Sequence, residues 1–315
     1  MLENFLFILN VVLPVFLLVI IGIFLRLIKL LDESFVKLTS NFVYKVSLPV
    51  LIFLKLHKVD FGRTFDPNMI IVIIFGIFTT AFIAYLIAKI LKMKPEDEGV
   101  FVQGAFRSNY AIVGLAIIMR MFGVEAVSKA SFLLLFALPL YNLFGVISLT
   151  IPFNSIRNTD FKKLIKEIFT NPLILAVFVS APFSIFGVGV HPTLETTGNY
   201  LAEIALPLAL IGIGASFNIS SIKSASQFAL LSSGIKNILS PLIVIPPAIL
   251  LGIEGNDLAI IFIIFGCPTA IASFIMAAGM RGNIKLAGNI VIISTLGAIF
   301  SMTLGLFLLK YFKLF

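Results

Sequence analysis

Of 315 residues, 60% are hydrophobic and 12% charged, against roughly a quarter charged in ordinary soluble domains, so a soluble globular fold is excluded. A helix needs about 20 apolar residues to cross a bilayer, and the apolar sequence is enough for about ten such crossings with no room for a second domain. The net charge of +8 sits in short caps between apolar runs and forms no basic stripe, which argues against nucleic acid and makes the lysines and arginines topology signals.

From the amino terminus, Leu2, Glu3 and Asn4 lead straight into an apolar run with no basic n-region or small-residue cleavage site, so no cleaved signal peptide is expected. Apolar runs bounded by charge or turn residues fall at about 5–27, 38–56, 68–91, 99–119 and 130–151. After a polar stretch at 152–163, five more fall at about 165–188, 197–216, 227–252, 257–280 and 286–309. The reading is an all-α integral membrane protein of ten helices, with residues 1–151 as a first five-helix unit, 152–164 as a short cytoplasmic linker and 165–315 as a second unit.

Lysine and arginine in short loops are retained on the cytoplasmic side. With the amino terminus outside, inner loops hold 13 of these residues and outer segments seven, the remaining three of the 23 lying within runs. Both termini are therefore expected on the outer side of the cell membrane.

Aligned with itself at an offset of 158, the chain superposes Asn41-Phe42 and Leu48-Pro49 on Asn199-Tyr200 and Leu206-Pro207, and Pro14 on Pro172. The same offset lays Ser108-Asn109-Tyr110 on Gly266-Cys267-Pro268. Each unit has five crossings, an odd number, so the repeat is inverted, an architecture of secondary transporters that places the substrate where two discontinuous helices meet.

The fourth run carries Arg107, Ser108, Asn109 and Tyr110 amid apolar sequence, and its counterpart carries Gly266, Cys267, Pro268 and Thr269. Pro268 removes a donor and frees the carbonyl four residues earlier, which then needs water, a side chain or a ligand at that depth. A plain proline kink satisfied by neighbouring helices is the bland alternative.

Four ionisable residues fall inside spans, Lys45, Arg107, Glu203 and Lys236, where such groups usually face an aqueous path or a partner. Lys45 and Glu203 stand at equivalent positions, each ahead of the Leu-Pro pair of its unit, and are the ion-coupling candidates; Glu203 is either a proton carrier or half of a static salt bridge to Lys45 or Lys236. Arg107 either grips a substrate carboxylate bidentately or snorkels to the headgroups. Pro49 and Pro207 read as helix-break or packing residues, and Gly212 and Gly214 as sites of close helix approach.

His57 and His191 fall in outer loops, where a solvated histidine without function is expected. The lone Cys267 and the two distant histidines give no metal or redox centre. Catalytic clusters of the kind a membrane enzyme needs are absent, so an enzyme is not expected.

The segments NPLILAVFVSAPFSIFGV and LAEIALPLALIGIGASF, with FRSNYAIVGLAI, LPLYNLFGVISL and CPTAIASFIMAAGM, resemble the auxin efflux carrier family in its short-loop prokaryotic form. The resemblance runs through nearly the whole chain and implies ten helices with the fourth and ninth broken and crossing. It also implies an organic-anion substrate such as a dicarboxylate or an indole acid. Carried over, the family's crossover asparagine falls on Asn109 and its crossover proline on Pro268, with Arg107, Tyr110, Cys267 and Thr269 beside them as substrate-binding candidates. Tyr110 departs from the small residue expected there. No cofactor is implied, with proton and sodium coupling both open, and the expected partners are a small organic anion and membrane lipid, with a homodimer left open. A sodium-coupled symporter and a non-transporting sensory or structural protein stand as alternatives.

Overall fold

A computed structural model describes residues 2–58, 66–153, 166, 169–217 and 227–315. Among these residues the chain is helical, without strands: α1 is Leu2–Leu27, α2 Glu33–Leu56, α3 Pro67–Ile90, α4 Pro95–Phe106 and α5 Leu115–Thr150. Then follow α6 Pro172–Phe186, α7 Pro192–Ala215, α8 Gln227–Leu250, α9 Gly255–Gly266, α10 Ile271–Gly279 and α11 Ile284–Tyr311. Seven of these helical stretches, α1, α2, α3, α5 with the turn ahead of it, α7, α8 and α11, are long and apolar enough to cross a membrane, whereas α6 and α9 are shorter apolar helices. The expected linker falls almost wholly on residues 154–165, outside the described residues.

The fourth and ninth runs each split. The fourth becomes α4, an extended break at Arg107, and a π-turn at Tyr110–Gly114 that leads into α5. The ninth becomes α9 and α10 around Cys267 and Ala270, whose ψ angles of 150° and 138° are extended. Gly123, at φ 76° and ψ −160°, bends α5 sharply, and a side chain there would be strained. Residues 115–122 thus belong to the broken helix and 124–150 to the fifth run.

Proline shapes two further helices. A π-turn at Val43–Ser47 precedes Leu48-Pro49 in α2, and another at Ile235–Leu239 precedes Ser240-Pro241 in α8. Proline cannot donate to the carbonyl four residues back, and in both helices the residue before it donates one residue further instead, Leu48 to Val43 and Ser240 to Ile235. In α7 the corresponding break is a turn at Ile204, three residues before Pro207.

The helices form two bundles. In one, α1 packs on α7, and α2 on α6 and α7; in the other, α3, α4, α5, α8, α9, α10 and α11 pack together. The bundles meet where α1 touches α11 and where α2 and α6 touch α5. A Cβ on Gly22 would overlap the Ile211 carbonyl and one on Gly214 the Val19 carbonyl, so this pair sets the close approach of α1 and α7. Gly212 differs from the expectation: its Cβ would meet only Thr39 Cγ2, at 3.8 Å, and no close approach depends on it.

His57 also departs from its expectation. Because α2 runs on to Leu56, His57 caps its last turn, 3% exposed, stacked on Phe53 at 5.4 Å with Nδ1 3.1 Å from the Leu54 carbonyl. His191 is exposed as expected and accepts from the Thr193 amide as the N-cap of α7.

Candidate functional site: a crossover of two broken helices

The two breaks lie against each other. Ser108 and Thr269 form an isolated antiparallel bridge; the Asn109 amide donates to the Pro268 carbonyl at 2.8 Å and the Ala270 amide to the Arg107 carbonyl at 3.0 Å. Backbone stripped of helical partners at this depth must find others, and the two interruptions supply each other.

Side chains complete the exchange. The carbonyl that Pro268 frees belongs to Ile264, and Ser108 Oγ donates to it at 2.5 Å. In the opposite direction Thr269 Oγ1 donates to the Gly104 carbonyl at 2.6 Å, one of the last carbonyls of α4. The Thr269 amide is taken by Ser294 Oγ of α11 at 3.0 Å. Lys236, fully buried in α8, donates from Nζ to the Phe265 carbonyl, one of the last carbonyls of α9.

From the crossover the chain restarts twice, as the turn of Tyr110–Gly114 running into residues 115–122 and as α10. Both helix N-termini, each with unpaired amides and the positive end of a peptide dipole, begin at the same place. Asn109 stands at the first of them, 7% exposed, and its side chain caps no amide. Tyr110 and Cys267 are fully buried beside it, and a Cβ on Gly114 would press on both, 2.8 Å from Tyr110 Cβ and 3.2 Å from Cys267 Sγ.

Arg107 is buried in the break at 7% exposure, which excludes snorkelling to the headgroups. Its Nη1 donates to Met276 Sδ at 2.8 Å and to the Tyr141 carbonyl at 3.3 Å, and its Nη2 to Asn142 Oδ1 at 2.8 Å. All three acceptors are neutral, and no carboxylate pairs with it among the described residues. Gly145 makes room for it, since a Cβ there would lie 2.9 Å from Arg107 Nη1.

Two openings flank the crossover at opposite ends of the four-helix bundle. A cavity of about 350 Å³ lies between Pro14, Lys55, Asn199, Glu203 and Pro207 on one side and Ala116, Met119 and Arg120, just past the crossover, on the other. A crevice of about 1240 Å³ lies between the far ends of α1 and α2, with Arg26, Lys29, Lys37 and Asn41, and the Ile271, Phe274 and Ile275 face of α10. One restarted helix thus lines each opening.

The expected site residues therefore divide. Arg107, Asn109, Tyr110, Cys267, Pro268 and Thr269 come together at the crossover. Glu203 and Pro207 line the smaller cavity, while Lys45 lies exposed on the π-turn of α2 with Pro49 half-buried beyond it. Glu203 is exposed and forms no ion pair with Lys45 or Lys236 among the described residues, so the static salt bridge is not found. Sequence reasoning missed Ser294, Met276 and Asn142; only Asn142, a polar residue within the apolar LPLYNLFG, carried a local signal.

The profile of a family described as membrane transport protein matches residues 7–156 and 152–306. An uncharacterized transporter of Methanocaldococcus jannaschii is 25% identical over 292 residues, covering 91% of this chain and 94% of the relative. Another, from Methanothermobacter thermautotrophicus, is 23% identical over 296 residues, covering 93% and 95%. With its series of long apolar helices, this multi-pass membrane protein belongs to the membrane transport protein family, that of the auxin efflux carriers and their relatives.

Proposed function

We propose that the protein is a secondary transporter that carries a small organic anion, a carboxylate, across the cell membrane by alternating access. The observation that carries this reading is Arg107: a guanidinium buried at the crossover among neutral acceptors and without a carboxylate partner among the described residues. Removing a cation from water without a counter-charge costs several kcal/mol, and in membrane proteins such groups mark substrate pathways. The two helix N-termini beside it also favour negative charge.

In this reading the chain crosses the membrane ten times as two inverted five-helix units joined at residues 152–164. Matched helix lengths support it: α2 and α7 have 24 residues each, and α4 and α9 12 each, in the same order in both halves. Alternating access draws support from the two openings at opposite ends of the bundle seam. Asn109, Tyr110, Cys267, Pro268 and Thr269 surround the substrate with Arg107, and Glu203, exposed in the smaller cavity, carries the coupling proton. The nearest rival couples transport to sodium.

The test is thermal stability of the detergent-purified protein, then uptake into proteoliposomes, with acetate, succinate, malate, benzoate and indole-3-acetate at two pH values, with and without sodium. Ligands that bind the folded state raise the melting temperature. One acid should stabilise the protein and be taken up, with both effects lost in Asn109→Ala; dependence on pH in sodium-free buffer supports proton coupling, and dependence on sodium supports the rival. A panel that neither stabilises nor enters under any condition would refute the organic-anion reading and favour a non-transporting role.

A further inference from the structure

Two residues of the crossover bundle reach across the seam, and both do so at the smaller cavity. Ser128 Oγ of α5 donates to the Lys55 carbonyl of α2 at 2.6 Å, and Arg120 Nη2 donates to the Asn10 carbonyl of α1 at 3.3 Å. Lys55 and Arg120 themselves line that cavity. Ion pairs follow another rule: among the described residues, Arg26 with Glu33, Lys58 with Glu195, Lys89 with Glu98 and Lys129 with Asp257 each stay within one bundle. The bundles are thus tied internally by charge and to each other, at this end, by hydrogen bonds to backbone.

Both acceptors are carbonyls spared by their own helices. Pro14 lacks the amide that would donate to the carbonyl four residues back, which is that of Asn10. The Lys55 carbonyl is one of the last of α2, past the end of the intrahelical ladder. The donors stand on either side of the bend at Gly123, so Arg120 ties down the end of the broken helix and Ser128 the start of the fifth run. Ser128, 1% exposed, has a second acceptor within reach, the Val124 carbonyl one turn back in its own helix at 3.0 Å. A hydroxyl has one hydrogen to donate. When the bundles part, that hydrogen stays satisfied by Val124 while the Lys55 carbonyl meets the water of the cavity. Arg120 is exposed and returns to water in the same way. Release therefore leaves no buried polar group orphaned, the condition that would make it costly.

We infer that Ser128 and Arg120 form a releasable latch that holds the two bundles together at the smaller cavity. The structure is the latched state, in which the cavity of about 350 Å³ is narrow and the crevice of about 1240 Å³ at the other end is wide. Letting go at the cavity while the crossover stays in contact with both bundles widens the cavity and draws the crevice ends together. This rests on the alternating-access reading above and adds the residues that set which end is open.

The test reads both ends at once in the detergent-purified full-length protein. Leu51→Cys places a thiol in the cavity and Val291→Cys one deep in the crevice, where the native side chains are 3% and 5% exposed; the rate of labelling by a water-soluble maleimide then reports each opening. Adding Ser128→Ala with Arg120→Ala should raise the rate at Leu51→Cys and lower the rate at Val291→Cys, each by about two- to tenfold, the change in an equilibrium that one hydrogen bond makes. Arg120→Ala alone, at an exposed position that folding tolerates, should move both rates the same way by less. Opposite shifts are the decisive sign, because a variant that merely loosens the fold speeds labelling at both ends. Rates that stay as in the parent, rise together or change at one end alone overturn the latch. Uptake of the acid by the parent protein reads the transporter itself, so the latch can fail while transport stands.

Discussion

Ser108 and Thr269 hold the crossover by one device used in both directions, each hydroxyl donating to a carbonyl of the other broken helix, Ile264 and Gly104. Both acceptors are shut away from water, and a buried acceptor that loses its donor costs about 1–3 kcal/mol. Ser108→Ala and Thr269→Val should each lower the stability of the purified protein by that amount in thermal melts, with Ser108→Thr close to wild type. The double variant should fall short of the sum, because the two sites share one bridge; unchanged melts in both single variants would mean that water serves these carbonyls. Pro268 made half of this arrangement legible in the sequence, since a proline announces which carbonyl it frees. The donor was not legible: Ser108 lies 156 residues away, and a polar residue in an apolar run shows that it is needed without showing what it touches. Arg107, Asn109 and Tyr110 stood out for that reason. Met276 did not, because a methionine acting as acceptor is indistinguishable in a sequence from one filling a core. Of the two readings of Glu203, a proton carrier or half of a static salt bridge, the second finds no ion pair among the described residues, because shared repeat position fixes comparable depth and not contact.

The close crossing of α1 and α7 depends on two glycines that face each other's backbone. A methyl group at Gly22 would overlap the Ile211 carbonyl and one at Gly214 the Val19 carbonyl, and neither backbone can yield without parting the helices. Overpacking of this kind costs typically 1–3 kcal/mol, so Gly22→Ala and Gly214→Ala should each lower the melting temperature. Gly212→Ala, with only Thr39 Cγ2 at 3.8 Å, should stay within about 0.5 kcal/mol of wild type; equal losses at Gly212 and Gly214 would remove the distinction. Hydropathy located the helices of this region within a few residues, because apolar runs end where charge and turn residues begin. It could not divide the fourth and ninth runs or extend α2 back to Glu33. A backbone break whose polar groups are met by another segment leaves the apolar run intact, and the helical cap at His57 is set by burial against Phe53, not by local composition. The run of GIGASF likewise offered two glycines and no sign of which one faced α1.

Both bundles contribute to each opening, so the two faces of the molecule must be assigned before any direction of transport has meaning. In the orientation expected from the excess of lysine and arginine in alternate loops, Lys92 lies inside and Lys313 outside, with both termini outside. Seven crossings separate these two positions in the ten-helix reading, an odd number, so they must lie on opposite sides whichever way the protein inserts. Single cysteines introduced as Lys92→Cys and Lys313→Cys, treated with a membrane-impermeant maleimide, test count and orientation together, and the native Cys267 is fully buried and should stay silent. Labelling of Lys313→Cys on intact cells, with Lys92→Cys labelled only after permeabilisation, is the expected result. The converse pattern would invert the topology and keep the count, whereas labelling of both from one side would break the ten-crossing scheme. In the expected orientation the larger crevice opens to the cytoplasm. Among the described residues its rim carries Arg26, Lys29, Lys37 and Lys285 against the one carboxylate of Glu33, and Glu33 is already engaged by Arg26 at 3.4 Å. The lysine ammonium groups left over raise the local concentration of anions at that mouth. Uptake measured from the crevice side should therefore show a lower KM for the acid than uptake from the other face, and the difference should shrink as salt is added, because screening acts on exposed charges first.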